Sequence, residues 1–142
     1  MRSASPRRLV QMMMRKAEAF LRAAERDARD ADWSRAASGA YYAVFHAMSA
    51  ALASQDLAYS KHSGVIAFFR KHFIRTGILP EEFSEVITRL SEDREIGDYS
   101  YERSVNPSAA IKDVHDGLRV VAAIREHLLA QGFQLDAPSQ ET

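Results

Sequence analysis

Apolar residues recur along this chain at spacings of three and four, the period of helices that bury one face. No segment keeps the alternation of apolar and polar residues that a half-buried strand shows. Proline, glycine and asparagine fall between the periodic segments, and the short connections favour antiparallel neighbours. The pattern predicts an all-α protein, an up-and-down antiparallel helical bundle of four to five helices.

The turn and capping residues set the predicted bounds of these helices. Residues 1–8 are predicted to be a flexible basic N-terminus, residues 9–131 the bundle, and residues 132–142 a flexible C-terminal tail. The predicted helices run from Leu9 into the stretch Asp27 to Asp32, from Trp33 to about Ser54, from a cap at Ser60 to Gly77, from Pro80 to about Tyr101, and from a cap at Ser108 to just before Gly132.

The fourth predicted helix carries polar residues where its pattern calls for apolar ones. Its apolar stripe ends at Leu90, and the same phase then reaches Arg94, Asp98 and Tyr101. At about 100° per residue, Asp98 lies roughly 40° and Tyr101 roughly 20° from Arg94. A guanidinium, a carboxylate and a phenol that point inward need partners. They either satisfy one another in a structural network or line a cleft that a ligand enters.

Composition excludes several classes of function. The chain has 142 residues and no cysteine, so it is one ordinary domain without disulfides, thiolate nucleophiles or zinc–thiolate sites. Nineteen basic residues balance nineteen acidic ones, which argues against nucleic-acid binding through bulk charge alone. We expect no metal, because Asp113, His115, Asp116 and His127 lack ligand spacing, and no cofactor. No window approaches the roughly 20 apolar residues of a membrane span, so a cytoplasmic protein is expected.

Several other residues allow both a structural and a functional interpretation. Tyr41 and Tyr42 fit core packing better than base stacking, and His46 fits a satisfied core histidine. His62 and Ser63 lie near a helix start, where capping is the favoured role and phosphate binding the minority one. The basic residues of the third helix are generally a solvated face but could meet RNA; they are Lys61, Arg70, Lys71, His72 and Arg75.

Three groups of motifs together resemble the single-domain branch of the HEPN family. They are residues 34–47 (SRAASGAYYAVFHA), residues 62–66 (HSGVI) with 73–77 (FIRTG), and residues 94–99 (REIGDY). The resemblance covers roughly Ala17 to Leu128, in order. It implies an all-α bundle, usually a homodimer, often encoded beside a minimal nucleotidyltransferase as a toxin–antitoxin pair. Many members are metal-independent ribonucleases whose active site is an arginine followed four to six residues later by a histidine.

This chain departs from that motif. Arg94 occupies the arginine position, but Tyr99 stands in the histidine slot, and Tyr101 falls where a partner nucleotidyltransferase modifies a tyrosine in similar toxins. Metal-free RNA cleavage needs a group that takes the 2′-OH proton, and an imidazole with a pKa of about 6.5 does this well. A phenol, ordinarily near pKa 10, is a poor base at neutral pH. A carboxylate beside an arginine, as at Asp98, is a weakened one.

The residues therefore leave two functional hypotheses open. The first is a dimeric interaction module of toxin–antitoxin type that binds RNA or nucleotide, or pairs with a nucleotidyltransferase, through Arg94, Asp98 and Tyr101. The alternative is a divergent ribonuclease toxin in which Arg94 binds the scissile phosphate and Asp98, Tyr99 or a histidine from elsewhere moves the proton. The candidate catalytic residues are Arg94, Asp98 and Tyr99; the candidate modification or ligand-binding residues are Tyr101, His62, Ser63 and Tyr42.

Overall fold

The computed structural model describes residues 5–57 and 61–137 and confirms the predicted all-α bundle. Within those residues the regular structure is helical throughout, with no strand. None of these helices is long and apolar enough to cross a membrane. The five helices are α1 (Pro6–Arg29), α2 (Trp33–Ala53), α3 (His62–Phe69, extended by a π-helical turn, Arg70–Ile74), α4 (Phe83–Tyr99) and α5 (Pro107–Ala130).

Helix α2 is the centre of the bundle, as its broad apolar surface predicts. It packs against α1, α3, α4 and α5. Tyr41, Val44 and Met48 are each at most 1% exposed. Because many of its inward residues are alanines, neighbouring helices approach it closely.

The first and last helices begin at different residues from those predicted. Helix α1 begins at Pro6, not Leu9, because the hydroxyl of Ser5 accepts a hydrogen bond from the backbone N–H of Arg8 at 3.3 Å. Residues 6–8, predicted to belong to the N-terminal segment before the bundle, are therefore part of the first helix. Helix α5 is capped by Asn106, not Ser108: the Asn106 side chain accepts from the N–H of Ala109 at 2.8 Å. The predicted Ser60 cap lies outside the described residues.

Helix α4 is shorter than predicted at both ends. Pro80 lies in a turn before it, where the N–H of Phe83 donates to the Pro80 carbonyl at 3.1 Å. At the other end Ser100 is extended, with ψ 132°, so the helix stops at Tyr99. The helical phase that would place Tyr101 beside Arg94 therefore does not continue that far.

The buried face of α5 includes two aspartates. Ile111 and Leu118 are 54% and 43% exposed, whereas Asp113 and Asp116 are 0% and 5% exposed. Both aspartates pair with Arg89 of α4, at 3.1 Å from its Nε in the case of Asp113. Hydrogen bonds from Arg89 to both aspartates make their burial tolerable, so a polar side of α5 faces the bundle.

The segment after α5 folds back on α1, where a flexible tail was predicted from residue 132. Gln11 Nε2 donates to the carbonyl of Gln134 at 2.8 Å, and Arg15 pairs with Asp136 at 2.5 Å. Phe133 and Leu135 pack against the core beneath them. These contacts attach the end of the described chain to its first helix.

Candidate functional site

Arg94 lies in a cage of aromatic rings and not on an open helix face. Its side chain is 11% exposed. The guanidinium carbon lies 4.8 Å from the ring centroid of Tyr41, 5.7 Å from that of Tyr42 and 5.6 Å from that of Tyr99. Cation–π contacts of this kind hold a guanidinium at a defined place and angle. We call Arg94 with Tyr41, Tyr42 and Tyr99 the aromatic cage.

A glycine one turn along α4 allows this arrangement. Gly97 packs so closely on the first turn of α2 that a Cβ there would lie 2.8 Å from the carbonyl oxygen of Ser34. The close approach brings α4 against the helix that carries Tyr41 and Tyr42. The glycine of the REIGDY motif thus fixes where Arg94 meets the two tyrosines.

The charge of Arg94 is only loosely compensated. Its nearest carboxylate oxygens belong to Glu95 at 3.6 Å and Asp98 at 3.9 Å, both beyond good hydrogen-bond distance. Its NH1 donates to the Tyr99 hydroxyl at 3.3 Å. Its Nε is buried and has no hydrogen-bond partner within the described residues. The cage therefore holds a cation whose donors are incompletely used, which suits an anionic oxygen.

His62 joins the cage through Tyr41. The Tyr41 hydroxyl and His62 Nδ1 lie 2.8 Å apart, and the imidazole stacks on Phe45 with 4.0 Å between ring centroids. Burial, and then the charge of Arg94, lower the pKa of His62. Burial raises the pKa of Tyr41, with Arg94 opposing it. At neutral pH His62 is therefore a neutral imidazole and Tyr41 a neutral phenol, and both are linked to Arg94.

The structure brings some of the predicted site residues together and separates others. Arg94, Asp98 and Tyr99 lie together at the end of α4, and Tyr42 and His62 join them from α2 and α3. Tyr101 does not: it is fully exposed beyond the end of the helix, so its predicted place on an inward stripe is wrong. Ser63 is also exposed, at the second residue of α3.

Sequence reasoning missed a second polar cluster between α4 and α5. Arg89 binds Asp113 and Asp116, and Asp93 lies beside Asp113. Burial, together with Asp93, raises the pKa of Asp113 to about 8. Asp113 and Asp116 are three apart on α5, a helical spacing that puts both on one face and could have indicated a shared partner. No set of three or more metal-ligating side chains occurs in residues 5–57 and 61–137.

Comparison with known proteins agrees with this architecture. Residues 10–131 match the HEPN domain. A UPF0332 protein of Thermotoga maritima is 44% identical over 59 residues, which is 42% of this chain and 45% of that protein. A Methanocaldococcus jannaschii protein named "Putative toxin MJ0142" is 28% identical over 89% of this chain and 86% of its own length.

A third relative is more similar to this chain than the Methanocaldococcus protein, and the match includes most of its length. The UPF0332 protein glr0978 of Gloeobacter violaceus is 35% identical over 63% of this chain and 71% of its own length. The chain spans less than half the length of the Thermotoga relative but most of the other two. The HEPN match extends from α1 to the end of α5 and includes every helix that builds the aromatic cage. The chain belongs to the HEPN domain family.

Proposed function

We propose that this HEPN protein is the RNA- or nucleotide-binding member of a toxin–antitoxin pair and that it binds a phosphate at Arg94. The observation that carries the proposal is the aromatic cage, in which a nearly buried guanidinium retains unused donors. A planar guanidinium donates two parallel hydrogen bonds to phosphate oxygens, and the surrounding rings offer faces for a base. The toxin names of the Methanocaldococcus relatives support the biological setting.

The residues of the REIGDY motif suit the binding of a phosphate better than the catalysis of RNA cleavage. Tyr99 occupies the histidine slot, and its hydroxyl accepts a hydrogen bond from Arg94. A phenol in this role orients the guanidinium but is a poor acceptor for the 2′-OH proton of RNA at neutral pH. Asp98, 3.9 Å from Arg94, is better suited to balancing its charge. A binding module requires no base among these residues.

Binding of a short fluorescein-labelled oligouridylate, followed by fluorescence anisotropy, tests the proposal. Replacing Arg94 with Ala removes a charge-assisted contact and is expected to raise Kd about 10- to 100-fold. Arg94→Lys keeps the charge but loses the planar fork, so it is expected to recover only part of the affinity. Arg35→Ala is the matched control, because Arg35 is 75% exposed and 3.9 Å from Asp32. Equal affinity of wild type and Arg94→Ala would refute the proposal.

A second candidate function, ribonuclease activity, is favoured by His62. It is a neutral imidazole held by Tyr41 beside Arg94, so it is the histidine from elsewhere that this alternative needs. In this scheme Arg94 binds the scissile phosphate, and His62 replaces Asp98 and Tyr99 as the proton acceptor. Growth arrest on induction, with RNA cleavage in vitro, that is lost in both Arg94→Ala and His62→Ala but kept in His115→Ala would establish it.

The proposed partners are a second copy of the chain and a nucleotidyltransferase-type antitoxin. Ile111, Leu118 and Leu129 are exposed on α5, and their spacings of seven and eleven residues put them on one line along the helix. An exposed apolar line of this kind favours burial against an identical surface. The full exposure of Tyr101 fits a residue that a partner enzyme must reach.

A further inference from the structure

Aromatic rings continue beyond the cage, across α2 towards α1. The ring of His62 stacks on Tyr41 with 5.7 Å between centroids and on Phe45 with 4.0 Å. Phe45 meets His46 edge-on at 5.3 Å, and His46 stacks on Phe20 of α1 at 5.3 Å. His62, His46 and Phe20 are each partly exposed. A row of rings thus connects Arg94 with the surface between α1 and α2.

The row ends at a groove of about 350 Å³ between α1 and α2. We call it the α1–α2 groove; its lining includes Leu9, Met12 and Met13 of α1, Phe45 and His46 of α2, and Lys16 at its edge. The volume falls in the range of about 300–1,000 Å³ found for small-molecule sites. Methionine side chains adapt to flat rings and make favourable sulfur–aromatic contacts. The groove therefore has a volume and a lining that suit a flat, mostly apolar group.

A positively charged residue lies at each end of the row of rings. Lys16 acts on His46 from one end and Arg94 acts on His62 from the other. Burial, and then Lys16 and His62, lower the pKa of His46 to about 4, so at neutral pH its imidazole offers one donor and one acceptor. Lys16 forms no ion pair within residues 5–57 and 61–137. A ligand that combines flat rings, hydrogen-bonding edges and repeated negative charges would match all these features, and a single-stranded nucleic acid has this combination.

We propose that the α1–α2 groove is a nucleobase subsite for single-stranded RNA, on a strand that Arg94 holds by one of its phosphates. This inference rests on the proposed function and extends it by naming where the base lies. The base stacks on the imidazole of His46, beside the methionines. Lys16, which lines the groove, contacts the phosphate of the adjacent nucleotide. The strand is single because a base paired in a duplex has no free face to stack in the groove.

Two changes in the labelled oligouridylate assay test the subsite. His46→Ala is expected to raise Kd about 5- to 150-fold, the effect of losing one stacked base, and His46→Phe is expected to restore most of the affinity. Lys16→Ala is expected to lower the slope of log K against log salt by about 0.7. The matched controls are His115→Ala and Lys112→Ala on α5, whose side chains are 73% and 62% exposed.

A base-deleted oligonucleotide makes the test specific. An abasic residue scanned along the strand is expected to weaken binding to wild type most at one position and to have no further effect there on His46→Ala. That coupling cannot arise from a loss of folding, which would lower affinity for every oligonucleotide equally. Circular dichroism of each variant verifies the helical fold.

The outcomes separate this inference from the function on which it rests. If Arg94→Ala weakens binding but His46→Ala and the abasic scan do not, the subsite is refuted and phosphate binding stands. If Arg94→Ala binds as wild type does, or wild type binds no RNA, both are refuted. If His46→Ala changes the oligomeric state and leaves RNA affinity unchanged, a second copy of the chain occupies the groove and the subsite is again refuted.

Discussion

Gly97 and Ser34 touch backbone to backbone where α4 crosses the start of α2. A Cβ at position 97 would lie 2.8 Å from the Ser34 carbonyl oxygen and 3.4 Å from its Cβ. The neighbour is main chain, which cannot rotate away as a side chain could. Any residue larger than glycine therefore pushes α4, and with it Arg94, away from Tyr41 and Tyr42.

Gly97→Ala is expected to destabilise the protein and to weaken RNA binding. Overpacking costs about 1–3 kcal/mol, and the better helix propensity of alanine returns up to about 1 kcal/mol. The expected net loss in the free energy of unfolding is about 1–2 kcal/mol, measured by urea denaturation.

Gly117→Ala is the matched control for this substitution. A Cβ at Gly117 of α5 would meet the Cβ of Ala40 at 3.5 Å, an ordinary van der Waals distance. Its free energy of unfolding is expected to stay the same or to rise by up to about 1 kcal/mol. If the Gly97→Ala protein proves as stable as this control, the contact with Ser34 does not position α4.

The stability of the protein is expected to fall as pH rises towards 8, because of Asp113. Burial, with help from Asp93, raises the pKa of its carboxyl group from 3.8 to about 8. The folded state therefore holds a proton that the unfolded state has released. This contribution is full below about pH 4 and is lost as pH approaches 8, by up to about 1.4 kcal/mol per pH unit.

Urea denaturation of Asp113→Asn between pH 6.5 and 9 measures this effect. In this variant the free energy of unfolding is expected to fall much less with rising pH than in wild type, because an amide does not titrate. Working above pH 6.5 avoids His46, whose lowered pKa makes it titrate in the acid range. In Asp116→Asn the free energy of unfolding is expected to fall with rising pH as it does in wild type. Its value at neutral pH is expected to be lower, because Arg89 keeps the pKa of Asp116 low despite burial and the variant loses this ion pair. Parallel profiles for wild type and Asp113→Asn would contradict the raised pKa of Asp113.

The Asp113 cluster also shows where the sequence alone stops being informative. Periodicity identified five helices, because burial of apolar faces gives apolar residues a regular spacing in the sequence. It did not indicate the buried aspartates of α5, because hydrophobicity cannot show that Arg89 of another helix binds both of them. Ile111 and Leu118 then occupy the surface in their place.

The exposed line on α5 is expected to form the dimer interface. Leu118→Asp places a charge in the middle of that line and is expected to raise the dimer dissociation constant about tenfold or more. Ile78→Asp, at a residue of similar 42% exposure on the loop before α4, is the control. Sedimentation equilibrium measures both variants. A monomeric wild type, or equal dissociation constants for all three proteins, would contradict this interface.

Tyr101 is expected to be the residue that a partner nucleotidyltransferase modifies. It is fully exposed, whereas Tyr99 is 63% exposed and bonded to Arg94. After incubation with a minimal nucleotidyltransferase and ATP, intact mass is expected to increase by one adenylyl group in wild type and Tyr99→Phe but not in Tyr101→Phe. Addition that persists in Tyr101→Phe would assign the modification elsewhere.

The candidate site was predictable in its members but not in its arrangement. The motif REIGDY indicated Arg94, Asp98 and Tyr99, and the helix-start position indicated His62. Nothing along the chain shows that Tyr41 lies between Arg94 and His62, because that contact depends on how three helices cross. Tyr101 was misplaced for a local reason: the extended backbone at Ser100 ends the helix before the expected phase reaches it.

The attachment of residues 133–136 to α1 links the two ends of the described chain. Gln11 contacts Gln134, 123 positions later, and Arg15 contacts Asp136, 121 positions later. The ribosome therefore makes nearly the whole domain before these contacts can form. Leu9, Met12 and Met13 lie on the same stretch of helix and form one wall of the α1–α2 groove. A truncation before residue 133 would thus loosen that wall from a distance, and the nascent protein would gain a finished groove only after residue 136 has left the ribosome.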